Sequence, residues 1–191
     1  SLGSGSVVTL DSGATLTVNN NVTVAKLAEK GGGNAGTVSI GNGATLTVNG
    51  ANQSTFYMNS ISGAGSLAMS GSGTTKMQLY GTQSYSGDTF INSATIGLQP
   101  SVTFASPRVY IGTNATFDVG TRGTTLTFAS GQGFTAVAGS SASPATIATA
   151  TGSGLTMASD SVVVIGNFNS ANGAPLNVSG AASLTFAAGN T

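Results

Sequence analysis

The hexapeptide Gly-Ala-Thr-Leu-Thr-Val occurs twice in this chain, at Gly13 to Val18 and again at Gly43 to Val48. Each copy is a turn of small residues followed by a short segment in which polar and apolar side chains alternate. Weaker versions of the same unit recur at 65–69, 115–119, 123–128 and 182–186. Self-similarity at a period of a few tens of residues indicates a repeat architecture, in which stacked repeats bury one continuous core.

Pairs of apolar residues separated by one polar residue recur along the whole chain, with Gly, Asn and Ser between the pairs. Examples are Val8/Leu10, Val38/Ile40, Leu67/Met69 and Leu126/Phe128. Alternation over a few residues is typical of a half-buried strand. Three such strands with their turns occupy roughly 20 to 30 residues, which lies within the range of solenoid repeats.

This pattern predicts an all-β fold, specifically a right-handed parallel β-solenoid of roughly seven to eight coils with three short strands each. The repeated hexapeptide favours it, because stacked positions in a solenoid want matching side chains. An antiparallel β-sandwich is the alternative, since turns every 8 to 12 residues or so also suit that fold.

We expect residues 1–191 to form a single solenoid domain or a fragment of a longer rod. Two segments interrupt the pattern and are predicted to be loop excursions, near 25–36 and near 136–151. The first contains Ala25-Lys-Leu-Ala-Glu-Lys30, with three of the ten charged residues, followed by three glycines. The second is rich in Ala, Ser, Thr and Gly around Pro144.

Composition excludes several classes of function. Charged residues make up 5% of the chain, against about 25% in an average globular domain. A neutral surface rich in Thr, Ser and Asn offers no basic patch, so we expect no nucleic-acid partner. No apolar run approaches the ~20 residues of a transmembrane helix, so we expect no membrane span. The absence of His and Cys excludes disulfides, zinc sites built on those ligands, and Ser-His or Cys-His nucleophilic systems.

Between Gly63 and Leu98, a series of small, aromatic and apolar residues falls at fixed spacings. Its members are Gly65, Ser66, Leu67, Gly71, Gly73, Thr74, Leu79, Gly81, Tyr85, Gly87, Thr89, Ile91, Asn92 and Leu98. This segment of 36 residues resembles the autotransporter-associated β-strand repeat. It departs from that pattern at Thr75 and Met77, where Leu is usual, at Gln83, where Asn is usual, and at Ser93, where Gly is usual.

The resemblance implies the passenger β-helix of a bacterial type V secreted protein, or a related surface protein, in which the repeat serves the folding and export of the rod. It supplies no catalytic residues. We therefore expect a non-enzymatic structural or adhesive rod that is extracellular or on a bacterial cell surface. We expect no cofactor and no metal. Its partners would be a protein or glycan surface ligand, or further copies of itself.

Six residues are candidates for surface contact. Tyr57, Tyr80, Tyr85 and Tyr110 are candidates for an adhesive or sugar-stacking surface, because a tyrosine combines an apolar ring with a polar hydroxyl. Lys26 and Lys30 lie in the predicted loop near 25–36, where a protruding segment would meet a partner.

A carbohydrate-active β-helix enzyme is an alternative function. Glycoside hydrolysis would require two carboxylates at about 5 to 10 Å. The candidates are Asp11, Glu29, Asp88, Asp118 and Asp160, which are well separated in sequence. Asp118 and Arg122 also suit a salt bridge at the rim of the rod.

Two further alternatives come from stacking. The Thr-x-Thr segments at 15–17, 45–47 and 125–127 would point both threonines outward and resemble the threonine ladders of ice-binding proteins. Neither end of the chain carries an atypical polar cap, and open strand edges template pairing with another chain. The chain is therefore expected to be part of a longer rod, or a filament subunit joined end to end by strand pairing.

Overall fold

The computed structural model of the protein describes residues 2–29, 36–50, 55–72, 74–138, 143–167 and 176–187. Within these ranges the chain forms 23 strands and one 3₁₀ turn, Gly120–Arg122. The paired strands are parallel and lie three places apart along the chain. This arrangement is a parallel β-solenoid with three strands in each coil. It confirms the predicted fold and excludes the antiparallel β-sandwich.

The described strands make seven complete coils and two strands of an eighth. The first four coils contain β1 (Val7–Leu10), β2 (Thr15–Val18), β3 (Val22–Val24), β4 (Lys26–Glu29), β5 (Thr37–Ile40), β6 (Thr45–Val48), β7 (Thr55–Met58), β8 (Ser60–Gly63), β9 (Ser66–Ser70), β10 (Lys76–Leu79), β11 (Thr82–Gln83) and β12 (Thr89–Asn92). The remaining coils contain β13 (Thr95–Leu98), β14 (Thr103–Phe104), β15 (Arg108–Ile111), β16 (Thr116–Asp118), β17 (Leu126–Phe128), β18 (Gly133–Ala138), β19 (Ala145–Ala148), β20 (Leu155–Met157), β21 (Val162–Asn167), β22 (Leu176–Ser179) and β23 (Leu184–Phe186).

Stacking of the coils creates three walls. The first wall contains the first strand of each coil, with β1 paired to β4 and a six-stranded sheet running from β7 to β22. The second wall contains the second strand of each coil, as a five-stranded sheet from β2 to β14 and a three-stranded sheet of β17, β20 and β23. The third wall is one seven-stranded sheet from β3 to β21.

The interior is apolar, as the alternation predicts. Columns of inward side chains run through successive coils, for example Leu46 and Leu67 in the third wall, which are in register and fully buried. Phe104, Phe117 and Phe128 form an aromatic cluster, with ring centroids 5.6 to 6.4 Å apart. Because inward residues of the middle coils have partners in the coils before and after them, the core is continuous along these coils.

The two copies of the hexapeptide do not stack on each other. Thr15–Val18 is a strand of the second wall and pairs with Thr37–Ile40, whereas Thr45–Val48 is a strand of the third wall and pairs with Val22–Val24. The expectation that identical segments occupy matching positions is therefore wrong, although the fold that it favoured is right. The hexapeptide is a general unit of turn and strand that fits more than one wall.

The predicted excursion near 25–36 is wrong for its first part. Lys26–Glu29 forms β4, which pairs with β1 along its whole length, and Leu27 is fully buried. The buried Leu27 and the pairing with β1 place this segment in the wall, despite its charge and helix-forming residues. Residues 30–35 lie outside the described part of the chain.

The predicted excursion near 136–151 is also wrong for the residues of β18 and β19 that it includes. Strand β18 continues to Ala138, and Ala145–Ala148 forms β19, whose Ala145 and Ile147 are buried. Alanine fills one of the two buried positions of β19, and its small side chain gives a weaker alternation pattern than a larger apolar residue would. Residues 139–142 lie outside the described part.

Glycines bring successive coils close together at the corner between the second and third walls. Gly41, Gly65 and Gly87 occupy this corner in three consecutive coils. A Cβ atom on Gly65 would lie 2.4 Å from the carbonyl oxygen of Gly41, and one on Gly87 would lie 2.3 Å from that of Gly65. The backbone amide of Gly87 donates a hydrogen bond to the Gly65 carbonyl at 3.2 Å. These glycines are therefore required by close backbone approach.

Candidate binding surface

The second wall presents an outer surface of hydroxyl groups. Thr15, Thr37 and Ser60 are in register, as are Thr17, Ser39 and Ser62, and the same pattern recurs for Thr127, Thr156 and Thr185. The hydroxyls of Thr15 and Thr37 share a hydrogen bond of 3.0 Å. The described strands of this wall contain no charged residue. The three predicted Thr-x-Thr segments are divided, however, because Thr45–Val48 belongs to the third wall.

The first wall carries an ion pair that spans two coils. Nζ of Lys76 lies 2.7 Å from Oδ2 of Asp118, and the intervening strand presents Gly97 beneath the lysine side chain. A Cβ atom on Gly97 would lie 3.1 Å from Cε of Lys76. The absence of a side chain at Gly97 therefore leaves the path that the lysine follows to reach Asp118.

Arg122 contacts backbone carbonyl groups and does not form the predicted salt bridge with Asp118. Its guanidinium donates to the carbonyl oxygens of Val102 and Thr125, at 3.1 and 2.7 Å, and burial lowers its pKa. Asp118 also accepts a hydrogen bond from the backbone amide of Gly120 at 2.9 Å. A salt bridge between Asp118 and Arg122 is therefore wrong. The arginine instead holds the loop that follows the 3₁₀ turn.

The four tyrosines do not form one surface. Tyr57 is exposed on the first wall, and its ring lies 5.6 Å from that of Tyr80, at an angle of 54°. Burial, with a smaller contribution from Tyr57, raises the pKa of Tyr80. Tyr110 is half-buried on the outer side of the third wall, where it stacks on Phe90 at 4.8 Å and 11°. The structure therefore provides two separate aromatic pairs on different walls.

Tyr85 is not a surface residue, and its prediction as a contact is wrong. It is fully buried at the corner between β11 and β12, with Phe104 edge-on at 6.3 Å. Its hydroxyl shares a 2.6 Å hydrogen bond with the Thr89 hydroxyl, which donates in turn to Ser106. The sequence held a signal for this role, because Tyr85 belongs to the spaced series at 63–98, and the resemblance of that series implies a repeat that serves the folding of the rod.

Ionisation of Tyr85 is expected to destabilise the fold at alkaline pH. Burial raises the pKa of its phenol, and the hydrogen bond to Thr89 lowers it by less. The folded protein therefore retains this proton when the unfolded chain, with a pKa of about 10, has lost it. The contribution of Tyr85 to the free energy of unfolding should be fully present below about pH 10 and should decrease as the pH rises above it.

Spectrophotometric titration of the phenols, followed together with circular dichroism, tests this expectation. One tyrosine should ionise only as the strand signal is lost, and the Tyr85→Phe variant should lack that coupled step. Ionisation of all four tyrosines with the strand signal intact would contradict it.

Of the two lysines predicted as contact residues, only Lys26 lies within the described part of the chain. Lys26 lies on the outer side of β4 in the first wall, half-buried and in register with Val7. It is part of a wall and does not protrude on a loop. Lys30 lies outside the described residues.

The carboxylates whose side chains are described lie in separate parts of the rod. Asp11 follows β1, Asp88 precedes β12, Asp118 ends β16, and Asp160 lies in the turn before β21. Within the described ranges, no three acidic residues are grouped so that they could hold a metal ion. The same ranges contain no helix of the length and apolarity needed to cross a membrane.

No protein-family model, curated protein or solved structure matches this chain. The resemblance of residues 63–98 to the autotransporter-associated repeat therefore stays a prediction.

Proposed function

We propose that this chain is a non-enzymatic structural and adhesive rod, secreted by a bacterium or displayed on its surface. One observation carries the proposal: an unbroken apolar core supports three outer walls, each with its own residues. The second wall presents hydroxyls, the first an ion pair and a tyrosine pair, and the third a stacked aromatic pair. Such walls offer extended contact surfaces, whereas the described carboxylates are dispersed among different coils.

The residues that carry the family resemblance support this proposal. Gly65 and Gly87 allow close approach of coils, and Tyr85 fills a corner of the core. These are roles in building a rod, which accords with a repeat that serves folding and export. Localisation at a bacterial surface depends on that resemblance.

An adhesion assay tests the proposal. Beads coated with the purified chain would be passed under flow over immobilised mucin and fibronectin, with beads carrying the heat-unfolded chain as the control. We expect retention that requires the folded protein. The same preparation should release no products from pectin, alginate or hyaluronan. Turnover of any of these that disappears in Asp88→Asn or Asp118→Asn would overturn the proposal in favour of a carbohydrate-active enzyme.

The hydroxyl surface of the second wall favours ice binding as a second candidate function. Its threonines and serines repeat at the interstrand spacing of about 4.8 Å on an uncharged wall, which gives a regular array for ordered water. We expect thermal hysteresis if this function is present. Thr103→Lys, at an exposed position of that wall, should abolish it, whereas Thr146→Lys on the first wall should not. A wild-type protein without hysteresis would exclude this function.

A further inference from the structure

A groove of about 300 Å³ opens on the outer side of the third wall, near the ends of β12, β15 and β18. The side chains of Asn92, Tyr110, Thr135 and Val137 line it, together with the chain at Gly112 and Thr113. It occupies the same wall as the stacked pair of Phe90 and Tyr110. Its volume is at the lower limit of small-molecule sites, which begin at about 300 Å³.

The register of the wall explains why the groove is present. Phe90, Tyr110 and Thr135 follow one another in a single outward column. Phe90 covers one face of the Tyr110 ring at 4.8 Å, so the other face is directed towards Thr135. Because threonine is much smaller than an aromatic residue, that second face is left open to the groove.

A missing side chain deepens the groove beside this ring. Gly112 follows β15 and lies next to Asn92, where a Cβ atom on the glycine would come within 2.6 Å of Oδ1 of Asn92. The glycine therefore leaves the amide of Asn92 accessible at the edge of the groove. An open aromatic face and an amide thus border the same space.

The lining has the chemistry of a site for a neutral sugar. A pyranose ring has apolar C–H faces and a rim of hydroxyls. Tyr110 offers the ring face and Val137 a further apolar contact, while Asn92 and the hydroxyls of Thr113 and Thr135 offer polar atoms for the rim. An acidic glycan would require Lys or Arg, and neither is among the described residues that line this groove.

We propose that this groove binds one or two sugar rings of a neutral glycan, with Tyr110 as the stacking residue. The proposal rests on the adhesive function proposed above and specifies one of its ligands. It assigns the contact to the third wall, and it predicts that the tyrosine pair of the first wall is not required.

Titration of the ¹⁵N-labelled full chain with cellohexaose, maltohexaose and chitohexaose tests the proposal, with oligogalacturonate as the acidic comparison. At least one neutral oligosaccharide should shift the amide resonances of Gly112, Thr113 and Val137. Tyr110→Ala should weaken that binding by about tenfold or more, which corresponds to the loss of a stacking contact. Tyr110→Phe should retain it. Tyr57→Ala, which removes an exposed ring from the first wall, should bind like the wild type.

A second variant keeps the test independent of any effect of Tyr110 on folding. Thr135→Trp places a large ring in the groove from an outward position and should block binding while leaving the circular dichroism unchanged. The proposal is overturned by the absence of shifts with all three neutral sugars, by shifts with oligogalacturonate alone, or by undiminished binding in Thr135→Trp. If adhesion to mucin persists alongside any of these results, the proposed adhesive function is retained and only the proposed sugar site in the groove is rejected.

Discussion

Replacement of Leu46 by aspartate is expected to abolish folding. Leu46 is fully buried in β6, in register with Val22 in one neighbouring coil and Leu67 in the other. A carboxylate at this position would have no partner, and an uncompensated buried charge typically costs about 3 to 5 kcal/mol. The lost leucine packing adds to this, whereas small domains are stable by only about 5 to 15 kcal/mol in total. Circular dichroism and urea unfolding measure the outcome.

The other copy of the hexapeptide supplies the matched control. Leu16 has the same local sequence, but it is only half-buried, because it lies in the first described coil and is in register with Val38 on one side alone. The sequence predicts that Leu16→Asp would abolish folding as Leu46→Asp does. The structure instead predicts a smaller loss, since water can reach the introduced carboxylate. Equal unfolding midpoints for the two variants would contradict the difference in burial.

The class of fold could be predicted from sequence because period-two alternation is a local property. Pairs such as Val38/Ile40 and Leu67/Met69 directly indicate short strands with one buried side. The assignment of each strand to a wall could not be predicted in the same way, because it depends on the summed lengths of all preceding turns. The hexapeptide shows this limit, since identical residues belong to the second wall at 15–18 and to the third at 45–48.

Strands with unusual composition were missed for a related reason. In β4 the buried Leu27 lies among charged and helix-forming residues, and in β19 one of the buried residues is an alanine. Charge and helix propensity in the first, and small residues in the second, suggested loops. Pairing with the preceding coil outweighs these local preferences, because each strand gains a full set of backbone hydrogen bonds and a place in the core.

Strand register determines which of the predicted contact residues lie on the same wall, and this could not be predicted from sequence. Sequence identified Tyr57, Tyr80 and Tyr110 as contact residues without indicating that they lie on two walls, and it included Tyr85, which is buried. It also found Thr-x-Thr segments but not the serines that extend the same columns, such as Ser39 and Ser62. The groove beside Tyr110 could not be predicted either, because it depends on Thr135, which is distant in sequence and adjacent in the wall.

Gly87→Ala is expected to destabilise the fold, because successive coils approach closely at the corner between the second and third walls. The added methyl group would lie 2.3 Å from the carbonyl oxygen of Gly65 and 2.4 Å from its carbonyl carbon. Both atoms belong to the backbone, so no side chain can rotate away, and separation of the coils would strain the hydrogen bond that Gly87 donates to Gly65. We expect a loss of roughly 1 to 3 kcal/mol or more in the free energy of unfolding, as in other overpacked interiors.

Gly166→Ala provides the matched comparison, because a Cβ atom there would meet no atom of the described residues, apart from its chain neighbours, within 4 Å. Glycine-to-alanine substitution at an unstrained position stabilises a protein by about 0.4 to 1 kcal/mol, by restricting the unfolded chain. The two variants therefore make the same chemical change with opposite expected signs, and urea unfolding of both measures the difference. If Gly87→Ala were as stable as Gly166→Ala, close approach would not explain the glycines at 65 and 87. The packing role assigned to Gly65 and Gly87 in the segment 63–98 would then be wrong. The proposal of a structural rod would lose the support that it takes from these two glycines.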